Sequence, residues 1–366
     1  MSEVHPTDEA AIALLDALVR VPSFSGQEGE ASRYAVQAMG EMGYDDAGVD
    51  DVGNATGSVG GGPRDVVLLG HIDTVPGVVP VRRVGGALYG RGSVDAKGPL
   101  AAMMVAAARA RPLRHLRVRV VGAVEEEAAT SKGARHVAAQ YTREDPPVAC
   151  VIGEPSGWNR ITIAYKGRLL VDYRLQRPVG HSAGRGTNAP EEAVAYWNAV
   201  AAYARAFNQS RERAYETLDP SLRALNSSSD GLHELVTMRI GLRLPLDVDP
   251  EGLSERLRSW ADDAEVTIHG VEWAYRADKR TPLASAFLGA IREEGSRGRY
   301  VAKTGTSDMN VVGPAWGCPL VAYGPGDSAL DHTPNEHLPL DEYLAAIRVL
   351  TRVLRTLDDL AGAGRV

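Results

Sequence analysis

Apolar and polar positions follow two different rhythms along this chain. Up to about residue 159, short apolar runs (VVLLG, VRVVGAV, VACVIG) alternate with stretches of helical spacing. DEAAIALLDALVRV places its apolar residues three and four apart behind Asp8, a cap, and predicts the first of a helix pair over 8–43. PLAAMMVAAARA predicts a buried helix with Pro99 in its first turn. EEEAATSKGARHVAAQY reads as a loop passing into a helix. Unbroken apolar strands alternating with helices predict an α/β domain around a mainly parallel sheet, covered on both faces.

Near Trp158 the rhythm changes. ITIAYKGRLLVDYRLQ and ELVTMRIGLRLPL alternate with period two, the first like an antiparallel strand or hairpin edge. EEAVAYWNAVAAYARAFN and LSERLRSWADDA are helical in spacing, and EVTIHGVEWAY is a further strand. Residues 160–276 therefore predict an inserted α+β domain. TPLASAFLGAIREEG, PLVAYGPG and the amphipathic DEYLAAIRVLTRVLRTLDDLAG resume the first pattern. Residues 1–159 and 277–366 are thus expected to form one α/β domain interrupted by the insertion.

Polar residues gather where the apolar strands end, which is where ligands bind in open α/β sheets. His71 and Asp73 follow VVLLG, and Asp95 lies in GRGSVDAKGP. Glu125, Glu126 and Glu127 follow VRVVGAV, Glu154 follows VACVIG, and His332 follows PLVAYGPGDSALD. Two imidazoles with several carboxylates and no cysteine suit zinc, cobalt or manganese. His71 and Asp73, one residue apart, point to the same side of an extended segment, so the carboxylate can accept the second imidazole N–H and orient the ring. A capped surface loop explains H-x-D alone equally well; four more acids and His332 at matching strand ends do not fit that explanation. Of adjacent glutamates, one can ligate a cation while its neighbour takes a proton from water. Glu125 fits equally an acidic helix start.

Bulk properties narrow the function. The chain has 366 residues, enough for two domains, with 44% hydrophobic and 24% charged residues, a globular balance. A net charge of -7 leaves no basic footprint for nucleic acid, and RPLRHLRVRV and SRGRY read as solvated faces. No apolar run spans a bilayer, and the acidic start MSEVHPTDEAAIALL is unlike a signal peptide. The two cysteines, Cys150 and Cys318, are read as reduced, in a cytoplasmic protein. KTG at 303–305 invites a serine β-lactamase reading, but no serine has lysine three places on. G-x-S-x-G and G-x-x-x-x-G-K-[ST] are also missing from the sequence.

GHIDTVPG, GRGSVDAKGPL, VEEEAATSKGAR, VIGEPSG, GHSA and DHTPNE, in this order over nearly the whole chain, resemble the M20 metallopeptidases, the co-catalytic zinc aminoacylases and deacylases. The resemblance implies a zinc-binding α/β domain with an inserted lid or dimerisation domain, two divalent ions (zinc, with cobalt as alternative) and a homodimer. It implies that His71 binds one metal, His332 the other, and Asp95 bridges them. Glu127 would complete the site of the metal on His332, and Glu154 that of the metal on His71. Glu126 would be the general base, Asp73 the orienter of His71, and His181 the lid histidine that reaches a partner's active site and stabilises the oxyanion. The family's usual Asp-Glu-Glu is Glu-Glu-Glu here, so the register one lower, Glu125 as base and Glu126 as ligand, stays open beside the preferred one. His337 is a rival to His332.

Within the family, GHIDTVPG, GRGSVDAKGPL, VIGEPSGW, YKGR and KTGTSDMN look like the hydrolases of carrier-protein lysine biosynthesis. These release lysine or ornithine from the C-terminal glutamate side chain of a small acidic amino-group carrier protein. Lys303, Thr304, Gly305, Thr306 and Ser307 would then line the substrate-carboxylate pocket. Arg276, Lys279 and Arg280 are read as ordinary surface charges, with carrier contact as the alternative. Two other functions compete: a deacylase of N-acetyl-ornithine, N-acetyl-lysine or N-succinyl-diaminopimelate, and a catalytically silent carrier-binding module. The second would be expected to have lost the base or a ligand, and none is missing.

Overall fold

The computed structural model describes residues 5–180 and 187–366. Among them, residues 5–163, 277–301 and 307–366 form one compact unit, and residues 164–180, 187–276 and 302–306 a second.

The first unit opens with α1 (Asp8–Arg20) and α2 (Gly29–Glu41), then β1 (Asp46–Val49), β2 (Ala55–Val59) and β3 (Arg64–His71). Thr7 rather than Asp8 caps α1: its side chain accepts the Ala10 N–H. Two short strands, β4 (Arg82–Val84) and β5 (Ala87–Tyr89), precede α3 (Lys97–Ala110). Next come β6 (Leu116–Ala123), α4 (Lys132–Ala138), β7 (Ala149–Gly153) and β8 (Arg160–Tyr165). The sheet runs β1-β2-β6-β3-β7, and a later strand joins β7 to β8. Pairings β3–β6 and β3–β7 are parallel, as the unbroken apolar runs predict; β1–β2 and β2–β6 are antiparallel, so the sheet is mixed. Val66 lies between Val118 and Ala149, and Gly70 between Gly122 and Gly153. That glycine row lets α3 sit close on the carboxyl ends of the strands. A Cβ on Gly153 would come within 2.9 Å of Gly70 Cα, and one on Gly122 within 3.0 Å of the Leu100 side chain.

The second unit holds β9 (Gly167–Pro178), α5 (Ala189–Asn208), β10 (Asp219–Ser229), β11 (His233–Leu244), α6 (Pro250–Ser259), β12 (Glu265–Glu272) and β13 (Tyr275–Arg276). Its antiparallel sheet, β10-β11-β9-β12, turns Leu169, Val171 and Tyr173 of β9 and Val236, Met238 and Ile240 of β11 onto Tyr196 and Val200 of α5 and Leu257 of α6. Asn188 and Glu191 cap α5 reciprocally. ITIAYKGRLLVDYRLQ is two strands in two sheets, divided at Lys166. That side chain is fully buried and donates to Thr217 O (2.7 Å) and Asp219 Oδ2 (2.5 Å).

The chain then continues through α7 (Pro282–Glu293), β14 (Arg299–Lys303), α8 (Met309–Trp316), β15 (Leu320–Ala322), β16 (His337–Pro339) and α9 (Leu340–Gly362). β15 is parallel to β7 and antiparallel to β8. α9 buries Tyr343, Ala346, Ile347, Leu350, Val353, Leu354 and Leu357 on one face, the amphipathic spacing seen in the sequence.

Candidate metal centre

β3 carries His71 to the edge of the core. Its Nδ1 donates to the Asp73 carbonyl oxygen at 3.1 Å, with Asp73 Oδ1 at 3.4 Å. The backbone carbonyl, rather than the carboxylate the spacing suggested, is thus the nearer acceptor. Nε2 is left facing Asp95 Oδ1 at 3.1 Å. The other Asp95 oxygen, Oδ2, lies 2.9 Å from His332 Nε2, and that nitrogen is 2.7 Å from Glu127 Oε1. Asp95 therefore offers one oxygen to each imidazole. Donor atoms of His71, Asp95 and Glu127 all lie within 4.8 Å of one another. Glu154, buried just past β7, stands outside that trio, though its charge acts on Glu126.

The buried Asp73 carboxylate is fully used. Oδ1 accepts the Glu126 N–H (3.1 Å), and Oδ2 accepts the Glu127 N–H (3.0 Å) and Ser25 Oγ–H (2.7 Å). Glu28 Oε1 accepts the N–H of Gly26 (2.8 Å) and of Glu125 (3.1 Å). Glu125 itself turns to Lys132 at 3.3 Å and Thr130 at 2.9 Å. His337 stacks on Tyr89 at 4.6 Å and donates from Nδ1 to Asn335 O.

Electrostatics reflect crowding of acid. Burial, then the charges of Glu127, Asp308 and Glu154, push the Glu126 carboxyl well above its usual value, against the opposing pull of His71. Burial and Asp95 raise Glu127. Hydrogen bonds to Asp95 and Glu127 raise His332 to about 10. Burial would lower His71, but its bonds to Asp73 and Asp95 carry it well upward. Asp73, Asp95, Glu126, Glu127 and Glu154 share a largely buried space, and isolated buried carboxylates are costly. Oxygen and imidazole donors 2.7–3.1 Å apart fit divalent cations.

The other sequence candidates fall elsewhere. His181 lies outside the described residues. Lys303, Thr304, Gly305 and Thr306 belong to the second unit, where Thr306 Oγ1 donates to Lys166 O (2.9 Å) and accepts from Arg243 (2.8 Å). Ser307, in the first unit, accepts the Met309 N–H at the start of α8. Reasoning from strand ends missed Ser25, which donates to the Asp73 carboxylate, and Glu28, Arg91 and Glu336, which act on backbone groups around the candidate ligands. Only the position of Glu336, four residues past His332, was a signal.

The chain is similar to known proteins over nearly its whole length. The profile of Peptidase family M20/M25/M40 matches residues 67–356. A [LysW]-lysine hydrolase of Deinococcus radiodurans is 43% identical over 360 residues, covering 96% of this chain and 98% of the relative. The M20 family metallo-carboxypeptidase Sso-CP2 of Sulfolobus solfataricus shares the fold with a TM-score of 0.79 at 17% identity, over 96% of this chain and 99% of that one. Bacillus subtilis YXEP, a dinuclear metal binding peptidase from M20 family, gives 0.67 at 14% identity, over 96% and 98%.

Proposed function

The chain belongs to peptidase family M20/M25/M40, and on that premise we propose that it is a metal-dependent amidohydrolase releasing lysine or ornithine from a small amino-group carrier protein. The bond cut joins the side-chain carboxyl of the carrier's C-terminal glutamate to the amino acid's α-amino group. One observation carries the chemistry: Asp95 sets one oxygen against each of two imidazoles beside a buried, uncommitted Glu126. The carrier as substrate is supported by the 43% identity to the [LysW]-lysine hydrolase over almost the full length of both chains.

Two divalent cations, zinc or cobalt, would be held by His71, Asp95, Glu127, Glu154 and His332, and supply the Lewis acidity that activates water and polarises the amide carbonyl. The chain's own residues do the rest. Glu126, its proton affinity raised by burial, takes a proton from the attacking water. Water oxygen bonds to the amide carbon; when the C–N bond breaks, Glu126 returns the proton to the leaving α-amine. Asp73, through two N–H groups, holds the backbone of Glu126 and Glu127 in register. On the family resemblance, His181 is assigned to the oxyanion and 303–307 to the amino acid's carboxylate. A homodimer through the inserted unit and a cytoplasmic setting complete the reading. It is supported by the exposed edge strand β10, and no helix among the described residues is long and apolar enough to cross a membrane.

Lysine release from a carrier loaded through its terminal glutamate tests this. Glu126→Gln should lower kcat about 1,000-fold with cation content unchanged, in line with the loss of a general base. Full activity in that variant would remove Glu126 from the role. Turnover of N-acetyl-lysine or N-acetyl-ornithine without release from the carrier would reassign the enzyme to free acyl amino acids.

A further inference from the structure

Arg91 and Glu336 take no part in the chemistry above, yet both are withdrawn from solvent beside the candidate centre. Glu336 is fully buried. Its Oε1 accepts the N–H groups of Val94 (3.0 Å) and Asp95 (3.2 Å), and its Oε2 accepts Arg91 Nη1 (2.6 Å). Its carbonyl accepts the Gly90 N–H at 3.2 Å. Arg91 answers from the opposite segment. Nη2 reaches the His332 carbonyl at 3.5 Å, Nη1 that of Thr333 at 3.4 Å, and Nε that of Gly77 at 3.1 Å.

Each segment thus grips the backbone of the other with a charged side chain. Residues 90–95 carry Asp95; residues 332–336 carry His332. The two ligands differ in their own support. His71 ends a strand and pairs with Ala123 of β6. His332 lies between the short helical turn Ser328–Leu330 and β16, with its side chain 49% exposed. Its φ of 61° is left-handed, a conformation that only surrounding contacts maintain in a non-glycine residue.

We propose that the Arg91–Glu336 pair, with its carboxylate fully buried, is a positioning device that sets the separation of Asp95 from His332 and thereby decides whether the second of two cations binds. The proposal rests on the two-cation reading. Charge-assisted bonds to backbone groups are short and directional. Removing either partner leaves the other charge buried and uncompensated, so the His332 segment relaxes. The first cation shares Asp95 but also keeps His71, fixed by β3 and the Asp73 carbonyl, so it is disturbed less.

Calorimetric titration of metal-stripped protein with Co²⁺ tests this on the wild type, Arg91→Gln and Glu336→Gln. The wild type should take two equivalents. Each variant should take one within about threefold of wild-type affinity and bind the second at least tenfold more weakly. At limiting cobalt kcat should fall more than tenfold with KM within twofold, and excess cobalt should restore it. Should the glutamine variants fail to fold, Arg91→Lys keeps the charge without the fork and gives the same comparison. Two equivalents at wild-type affinity in the variants, with only a lower melting temperature, would overturn the proposal and leave a merely structural pair. Fewer than two equivalents on the wild type would overturn the two-cation reading, and this proposal with it.

Discussion

Asp73 shows how one residue can organise its neighbours. It gathers the amides of Glu126 and Glu127 and the Ser25 hydroxyl, and its carbonyl sets the His71 ring. Asp73→Ala should weaken cation binding about 10- to 100-fold, the usual effect of losing a group that orients a ligand. Ser25→Ala removes one of several bonds and should cost only about 1 kcal/mol of stability, with cation affinity near wild type. Cobalt titration and urea denaturation of both variants check the contrast. His71, Asp95, Glu127 and His332, which the structure brings within hydrogen-bonding distance, are legible because a polar residue gains nothing from packing where an apolar strand ends. Ser25, Glu28 and Glu336 are not. Their partners are backbone amides and a carboxylate remote in sequence, and a side chain that serves a backbone group has no spacing to betray it.

At the level of elements, β3 and β6 are pinned outside the site as well. Asp65 and Arg117 are direct register partners, joined by two bonds of 2.6 and 3.0 Å, and Tyr141 Oη donates to the same carboxylate at 2.6 Å. Burial alone would raise Asp65; the bonds from Arg117 and Tyr141 outweigh it and hold the carboxyl below its usual value. A group depressed in the folded state stabilises fully above its unfolded pKa, about 3.9, and loses that contribution as pH falls through the folded value. Asp65→Asn should therefore cost about 2 kcal/mol at pH 7, with the difference from wild type shrinking below about pH 4. Urea midpoints at pH 7 and pH 3 read this out. β3, β6, β7 and α3 are plain in the sequence because burial on both sides leaves unbroken apolar runs. β10 is not: DPSLRALNSSS lies on a sheet edge and buries no residue, so no alternation marks it. The break at Lys166 was hidden because both flanking strands alternate in the same phase.

For the molecule as a whole, the concentration of carboxylates in one largely buried space ties stability to its ligand. Cation at 100 times its Kd stabilises by about 2.7 kcal/mol per site, so EDTA should lower the melting temperature of the first unit by about 5 °C for each site emptied, about 10 °C for two. Scanning calorimetry with and without zinc measures the shift; identical curves would separate folding from cation uptake. The first unit's discontinuity has another effect. α3 is buried along nearly its whole length, with β3, β6 and β7 on one side and α1 and α9 on the other. Yet α9 begins roughly 230 residues after α3 ends, at Leu340 against Ala110. At ribosomal speeds of about 5–20 residues per second, the nascent chain holds that greasy helix half-clothed for roughly 10 to 50 s. The interrupted layout thus makes biosynthesis, more than the finished enzyme, the stage at which this protein most needs protection from its neighbours.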